Sequence, residues 1–312
     1  MENIMDIDIA EIIERGSDTV VYCLAAFVLL FAGKLVFQLI NKNINVNEEL
    51  VEKDNFAFAI QFVGYLFGLL LAIGAAIEGP SAGMLEDLKQ IGIYGGLGIV
   101  FLNLAGIVSD KIILRKFSVR KEICDDKNEG VGVVTAANYV ASGLIIFGAV
   151  SGEGPLPSTE WHTLDLNVFL FGGEGGGIET AAVCWLVGQV LLILASEFYN
   201  FITPYSTHDE LEKDNVAVGI GFGGAIVAFS ILILNAIKGD FESYTATFTN
   251  LGIEFVIGLV LLPSIRLIAD KVLLPGQDLT DELVNQEKPN LGAAFVEAFA
   301  YIGGAILITW CL

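Results

Sequence analysis

Eight stretches of this chain each offer about 20 or more predominantly apolar residues in a row, and that repetition constrains the fold more than any other feature. They run approximately over 18–41, 55–78, 90–114, 130–152, 177–202, 216–238, 244–268 and 290–312. A bilayer core roughly 30 Å thick needs about 20 such residues when the segment is helical. In lipid the backbone must satisfy its own polar groups, which only helices and closed barrels do. The alternation of a barrel strand, about ten residues of polar and apolar in turn, is absent. The sequence therefore predicts an all-α integral membrane protein with eight transmembrane helices. Composition agrees: 54% of residues are hydrophobic and 17% charged, against roughly 25% charged in a soluble domain. A water-soluble enzyme has no use for that much apolar surface. The net charge of −21 leaves no basic face for nucleic-acid phosphates.

The first stretch follows an acidic segment (Glu2, Asp6, Asp8, Glu11, Glu14), whereas a cleavable signal peptide starts basic and ends at small residues. It is read as a span. Residues 1–17, with Ile4, Ile7, Ile12 and Ile13 among the acids, are read as a short interfacial segment. Thirteen Lys and Arg residues fall on the side of the loops after the first, third, fifth and seventh spans, and three (Arg15, Lys89, Lys238) on the other. By the positive-inside rule the first side is cytoplasmic and both termini lie outside. Acids make the outer face the more negative one, which would concentrate cations there.

The chain repeats itself. Glu52-Lys53-Asp54-Asn55 recurs as Glu212-Lys213-Asp214-Asn215, and the same offset of 160 carries Asp110-Lys111 to Asp270-Lys271. This divides the chain into an N-terminal segment 1–17, a four-span unit 18–152, an extracytoplasmic linker 153–176 and a second four-span unit 177–312. Each unit is itself double. The four even spans open on Asn55, Asn128, Asn215 and Asn290, with Ala or Gly two and four residues later. Asn can accept from free N–H groups in the first turn as an N-cap, and the small residues let another backbone approach closely. Units with an even number of crossings enter the membrane in the same direction, so the repeats are parallel, forming a pseudo-fourfold repeat about the membrane normal. The four caps could then line one shared cytoplasmic mouth.

These residues carry a resemblance. The E-K-D-N-x-A-x-[AG] opening, the paired-helix repeats and the terminal Ile308-Thr309-Trp310-Cys311-Leu312 resemble the YjfL-like bacterial inner-membrane proteins (domain of unknown function 350). Typical members resemble one four-span unit; this chain looks like two fused, over nearly its whole length. Lys127 and Pro289 replace the Asp before Asn128 and Asn290. The resemblance implies an inner-membrane location and a link to stress or small-cation physiology.

Ionisable groups within spans are expensive in lipid and so are candidates for function. Glu254 lies about ten residues into the seventh span, roughly 15 Å deep, ahead of Pro263. Glu297 lies seven residues after Asn290. Asp110, Glu197 and Asp270 sit near the inner ends of odd spans, and Arg266 precedes Asp270 by four residues, a spacing that permits a helical ion pair. Two histidines (His162, His208) and four scattered cysteines form no familiar metal or catalytic set, so no cofactor and no enzymatic activity are expected. The Gly-rich run 171–179 lacks the Lys-Ser/Thr of a phosphate loop. Two functional readings follow. In one, a small cation passes through the bundle, with Glu254 and Glu297 in the path and Asp110, Glu197 and Asp270 near its inner end. In the other, the chain is a membrane scaffold whose cytoplasmic loops bind a protein partner, with basic residues 111–121 on protein or anionic lipid, alone or as a homo-oligomer.

Overall fold

The computed structural model describes residues 9–79, 81–151, 177–274 and 276–312. Eight helices are long and apolar enough to cross a membrane. They are α1 (Ile9–Ile40), α2 (Phe56–Glu78), α3 (Met84–Val108), α4 (Glu129–Val150), α5 (Gly177–Ile202), α6 (Val216–Ile237), α7 (Tyr244–Leu273) and α8 (Leu291–Cys311). Residues 9–17 continue into α1 without a break. Residues 1–8 and the whole of the 153–176 linker, His162 included, lie outside the described residues. Before each even helix stands a short helical turn: Glu48–Glu52, Lys121–Asp125, Thr207–Glu212 and Leu279–Val284.

The helices form two layers. α2 packs on α4, α4 on α6 and α6 on α8, giving a row of even helices. α3 rests on α2 and α4, α5 on α4 and α6, and α7 on α6 and α8, while α1 closes the near end against α3 and α2. α6, flanked on both sides and covered, is 78% buried over its most apolar stretch, whereas α1 is 11% buried and faces outward.

Small residues hold the row together, and they recur in register. A Cβ on Gly132 would come within 2.6 Å of the Ala57 carbonyl oxygen, and one on Gly219 within 2.6 Å of the Gly130 carbonyl oxygen. Deeper in, Gly64 meets Ala136 and Gly224 meets Ala298, backbone against backbone. Positions two and nine after one Asn thus face positions four and eight after the next. Lipid supplies little hydrophobic drive between helices, so this close approach is what makes them associate.

The row is open, which corrects the picture of four caps around one mouth. The positions that are Gly64, Ala137 and Gly224 at the inner joints become Phe299 at the far end, and those that are Ala136, Gly223 and Ala298 become Val63 at the near end. Both large side chains face outward, 66% and 62% exposed. With Phe and Val at these positions the terminal helices cannot make the backbone contact of the inner joints.

Candidate functional site

The sequence feature that recurs most, the Asn before each even helix, sits at the centre of a repeated polar joint on one face of the bundle, called here the capped face. The Oδ1 atoms of Asn55, Asn128, Asn215 and Asn290 accept from the N–H groups of Phe58, Val131, Val218 and Ala293 at 2.9–3.2 Å. Each Asn N–H donates to the backbone carbonyl of a glutamate in the short turn just before it: Glu49, Glu122, Glu210 and Glu282. Each Nδ2 donates to the carboxylate of that same glutamate at 2.8–3.1 Å. In the first three units Nδ2 also donates to the next unit: Asn55 to the Ile123 carbonyl, Asn128 to that of Leu211, and Asn215 to that of Leu283. Every hydrogen-bonding capacity an amide carries on its nitrogen is used. Asn290, with no unit beyond it, hands its amide to Glu282 and is exposed, whereas Asn55, Asn128 and Asn215 are buried.

The residue before the cap adopts the left-handed region in three units: Asp54 at φ 46°, Lys127 at 55° and Asp214 at 59°. Asp tolerates that region better than most residues, and Lys127 adopts it too, so the change from Asp leaves the turn intact. Pro289 cannot reach positive φ, and in the last unit Asn290 instead stands eight positions after Glu282, where the others stand five or six after their glutamates. The glutamates themselves were hidden from sequence inspection because this separation varies.

The sequence-predicted acids are not gathered around one path; each engages a partner in the protein. Glu254 on α7 accepts from Asn235 Nδ2 on α6 with both carboxylate oxygens at 3.0 Å. Glu297 on α8 accepts from Arg266 Nε on α7 at 2.7 Å, so Arg266 bonds across helices rather than along its own to Asp270. Asp270 caps the short turn below it, accepting from the Leu279 N–H at 2.9 Å. Asp110 lies 3.1 Å from Lys111. Glu197 on α5 pairs with both terminal nitrogens of Arg115.

That last pair belongs to a seam joining the two four-helix units on the capped face. Lys116 lies 3.6 Å from Asp209, and His208 Nε2 meets the Ile113 carbonyl at 2.8 Å. Burial holds the His208 imidazole below its ordinary pKa, the neighbouring Lys116 and Arg115 charges adding to the effect. Glu197 holds the Arg115 guanidinium above its own ordinary value. Within the basic run 111–121, Arg115 and Lys116 thus bind the second unit of their own chain.

Glu297 is also the centre of a buried polar group inside the bundle. It is fully buried; its Oε2, Arg266 Nη2 and the Tyr301 hydroxyl are enclosed and without a hydrogen-bond partner. Tyr199 and Tyr205, 3.3 Å apart through their hydroxyls, flank it. Gly221 leaves it room: a Cβ there would push on the Glu297 carboxylate and lie 3.2 Å from the Tyr199 hydroxyl. Taking two charges into lipid depth is costly, and their attraction offsets it only with good geometry. The other units lack this group. Seven residues after their caps stand Phe62, Thr135 and Phe222, and Gly106 matches Arg266. Among the described residues no cluster of three or more His, Cys, Asp or Glu could hold a metal ion.

Comparison with known proteins extends this picture in one direction. Neither a curated protein nor a solved structure matches the chain. One family model does, twice, over residues 8–150 and 173–312, each match taking in four of the eight helices. A multi-pass membrane protein made of two fused copies of a four-helix unit, this chain belongs to the family described as Domain of Unknown Function (DUF350).

Proposed function

We propose that the chain is a rigid scaffold of a bacterial inner membrane, with its capped face toward the cytoplasm, both termini outside, and the repeated Asn–Glu joints presented to a protein partner. The observation that carries this reading is the continuous row of backbone contacts from α2 to α8, capped at every joint by an amide that bonds two units at once. Such a row resists sliding or tilting of one helix against the next, because each joint has a hydrogen bond fixing its register. Glu254, Glu297 and Asp270 are each engaged by a protein group, which supports a structural role for them. The exposed acids beside the joints, Glu52, Asp125 and Glu212, are spaced along that face for a partner of complementary charge.

A second reading, passage of a small cation or proton, is favoured by one observation: the unpartnered Glu297 Oε2, Arg266 Nη2 and Tyr301 hydroxyl in the buried centre. Flux measurements on reconstituted vesicles decide between the two. The scaffold reading expects H⁺, Na⁺ and K⁺ fluxes equal to those of protein-free vesicles. A flux that Glu297→Gln or Glu254→Gln abolishes while the protein stays folded would establish the second reading instead.

A further inference from the structure

Positive charge is scarce in this protein, with 16 Lys and Arg against 37 acids, and most of it is consumed internally. Nine of these residues, among them Lys53, Arg115 and Arg266, lie within ion-pair distance of a carboxylate. Lys34 and Lys42 do not. Among the described residues neither has a carboxylate partner, and Lys34 Nζ donates only to a neutral amide oxygen, Asn47 Oδ1, at 3.0 Å.

Both line the same open groove of about 530 Å³, between the end of α1 and the loop that follows it. The groove has two kinds of wall. Phe31 and Leu35, 61% and 48% exposed, form an apolar strip on the outward side of α1. Lys34, Lys42, Asn45 and Asn47 form the polar end. Its shape is fixed by one side chain: Gln38 donates through Nε2 to the Ile44 carbonyl and accepts through Oε1 from the Val46 N–H at 2.9 Å, clamping the loop to the helix. Arg120 donates to the Asn43 carbonyl of the same loop at 3.4 Å.

Lys34 lies six residues before the end of α1, about 9 Å along the axis, so its stem crosses the apolar strip and its ammonium emerges at the level of the loop. That is where lipid phosphates lie beside a transmembrane helix, and basic pockets at that level take anionic headgroups. We propose that this groove is a binding site for an anionic phospholipid, with the headgroup phosphate accepting from Lys34 and Lys42 and an acyl chain lying along Phe31 and Leu35. On a protein of net charge −21, two ammonium groups without a carboxylate partner in a preformed groove favour anionic lipid at this position in the annulus. A free phosphate would satisfy the lysines but leave the apolar strip uncovered.

Native mass spectrometry of the full chain released from micelles containing equal phosphatidylglycerol and phosphatidylcholine tests this. The expected result is retention of one phosphatidylglycerol in preference to phosphatidylcholine. Lys34→Gln with Lys42→Gln should lower that retention by roughly fivefold for each lysine. Lys89→Gln with Lys238→Gln, which removes the same charge from the opposite face, should leave it unchanged. Lys42→Gln alone, at an exposed side chain, should cost its own roughly fivefold if the double variant does not fold. Equal retention of the two lipids by the unaltered protein would overturn the proposal. So would equal losses in both double variants, or displacement of the lipid by inorganic phosphate.

Discussion

At the scale of single residues the Asn caps explain most of what the capped face does. Asn128 closes its own helix, binds Glu122 and reaches the Leu211 carbonyl of the next unit, all in a buried setting. Replacing it with Ala removes a cap, typically ~1 kcal/mol, and strands a buried carboxylate oxygen and a carbonyl. Asn128→Ala should therefore cost about 2–4 kcal/mol in denaturant titrations in mixed micelles. Asn290→Ala, at the exposed end, should cost about 1 kcal/mol or less. Equal losses at the two positions would show that the bond to the next unit contributes nothing. The caps were legible because Asn followed by small residues recurs four times at the start of an apolar run. Their glutamates were not, since a partner five, six or eight residues away leaves no periodic trace. His208 makes a second prediction at this scale. Its folded pKa lies below that of the unfolded chain, so unfolded protein takes up the proton first as the medium acidifies. The contribution of the neutral imidazole is intact above about pH 6.5 and is lost as pH falls through the folded value. The thermal midpoint should drop over that window, and His208→Gln should flatten the drop.

At the scale of elements the decisive variable is whether a helix glycine has a neighbour at its missing Cβ. Gly132 and Gly219 each face a carbonyl oxygen of the preceding even helix at 2.6 Å from the position a Cβ would take. Backbone cannot swing aside as a side chain does, so Gly132→Ala and Gly219→Ala should each cost about 1–3 kcal/mol. Gly92 and Gly96 on α3 have nothing within 4 Å, and Ala there should be neutral or stabilise by about 0.5–1 kcal/mol. The same mixed-micelle titrations compare the four. All eight spans were legible from hydropathy alone, because a bilayer demands length and apolarity and little else. Their ends were less so: α3 begins at Met84 and α7 runs to Leu273. In both, charged residues that hydropathy places in loops are helical, Glu86 and Asp87 opening α3 where a helix N-terminus favours acids. Arg266 and Asp270 lie in the last turns of α7, held by Glu297 and by the Leu279 N–H. Only the three-dimensional partners reveal that such residues are covered.

At the scale of the whole molecule the repeats form a line rather than a ring, and sequence contained the reason without displaying it. Parallel duplication permits both arrangements; the difference lies in Val63 and Phe299, which are ordinary lipid-facing residues until the inner joints show that their counterparts are Gly or Ala. A head-to-tail interface whose end surfaces stay complementary would go on adding copies, closing into a ring or growing as a filament. Here the polar half of the joint is still present at both ends. Asn290 exposes its amide, and Leu50 stands after Glu49 as Ile123, Leu211 and Leu283 stand after their own glutamates. The large side chains are what keep the next copy at a distance. Repeat arrays commonly end in atypical terminal units for this purpose. Val63→Ala with Phe299→Gly should then turn a terminated row into an extendable one. Neither change opens a cavity, since both side chains already face outward, so stability should fall only by the cost of one helical glycine, roughly 0.5–1 kcal/mol. Size-exclusion chromatography with light scattering in mixed micelles reports the contact directly. Oligomers larger than those of the unaltered chain should form when both positions carry small residues. Equal size distributions for the two proteins would mean that something other than these two side chains decides where the row stops.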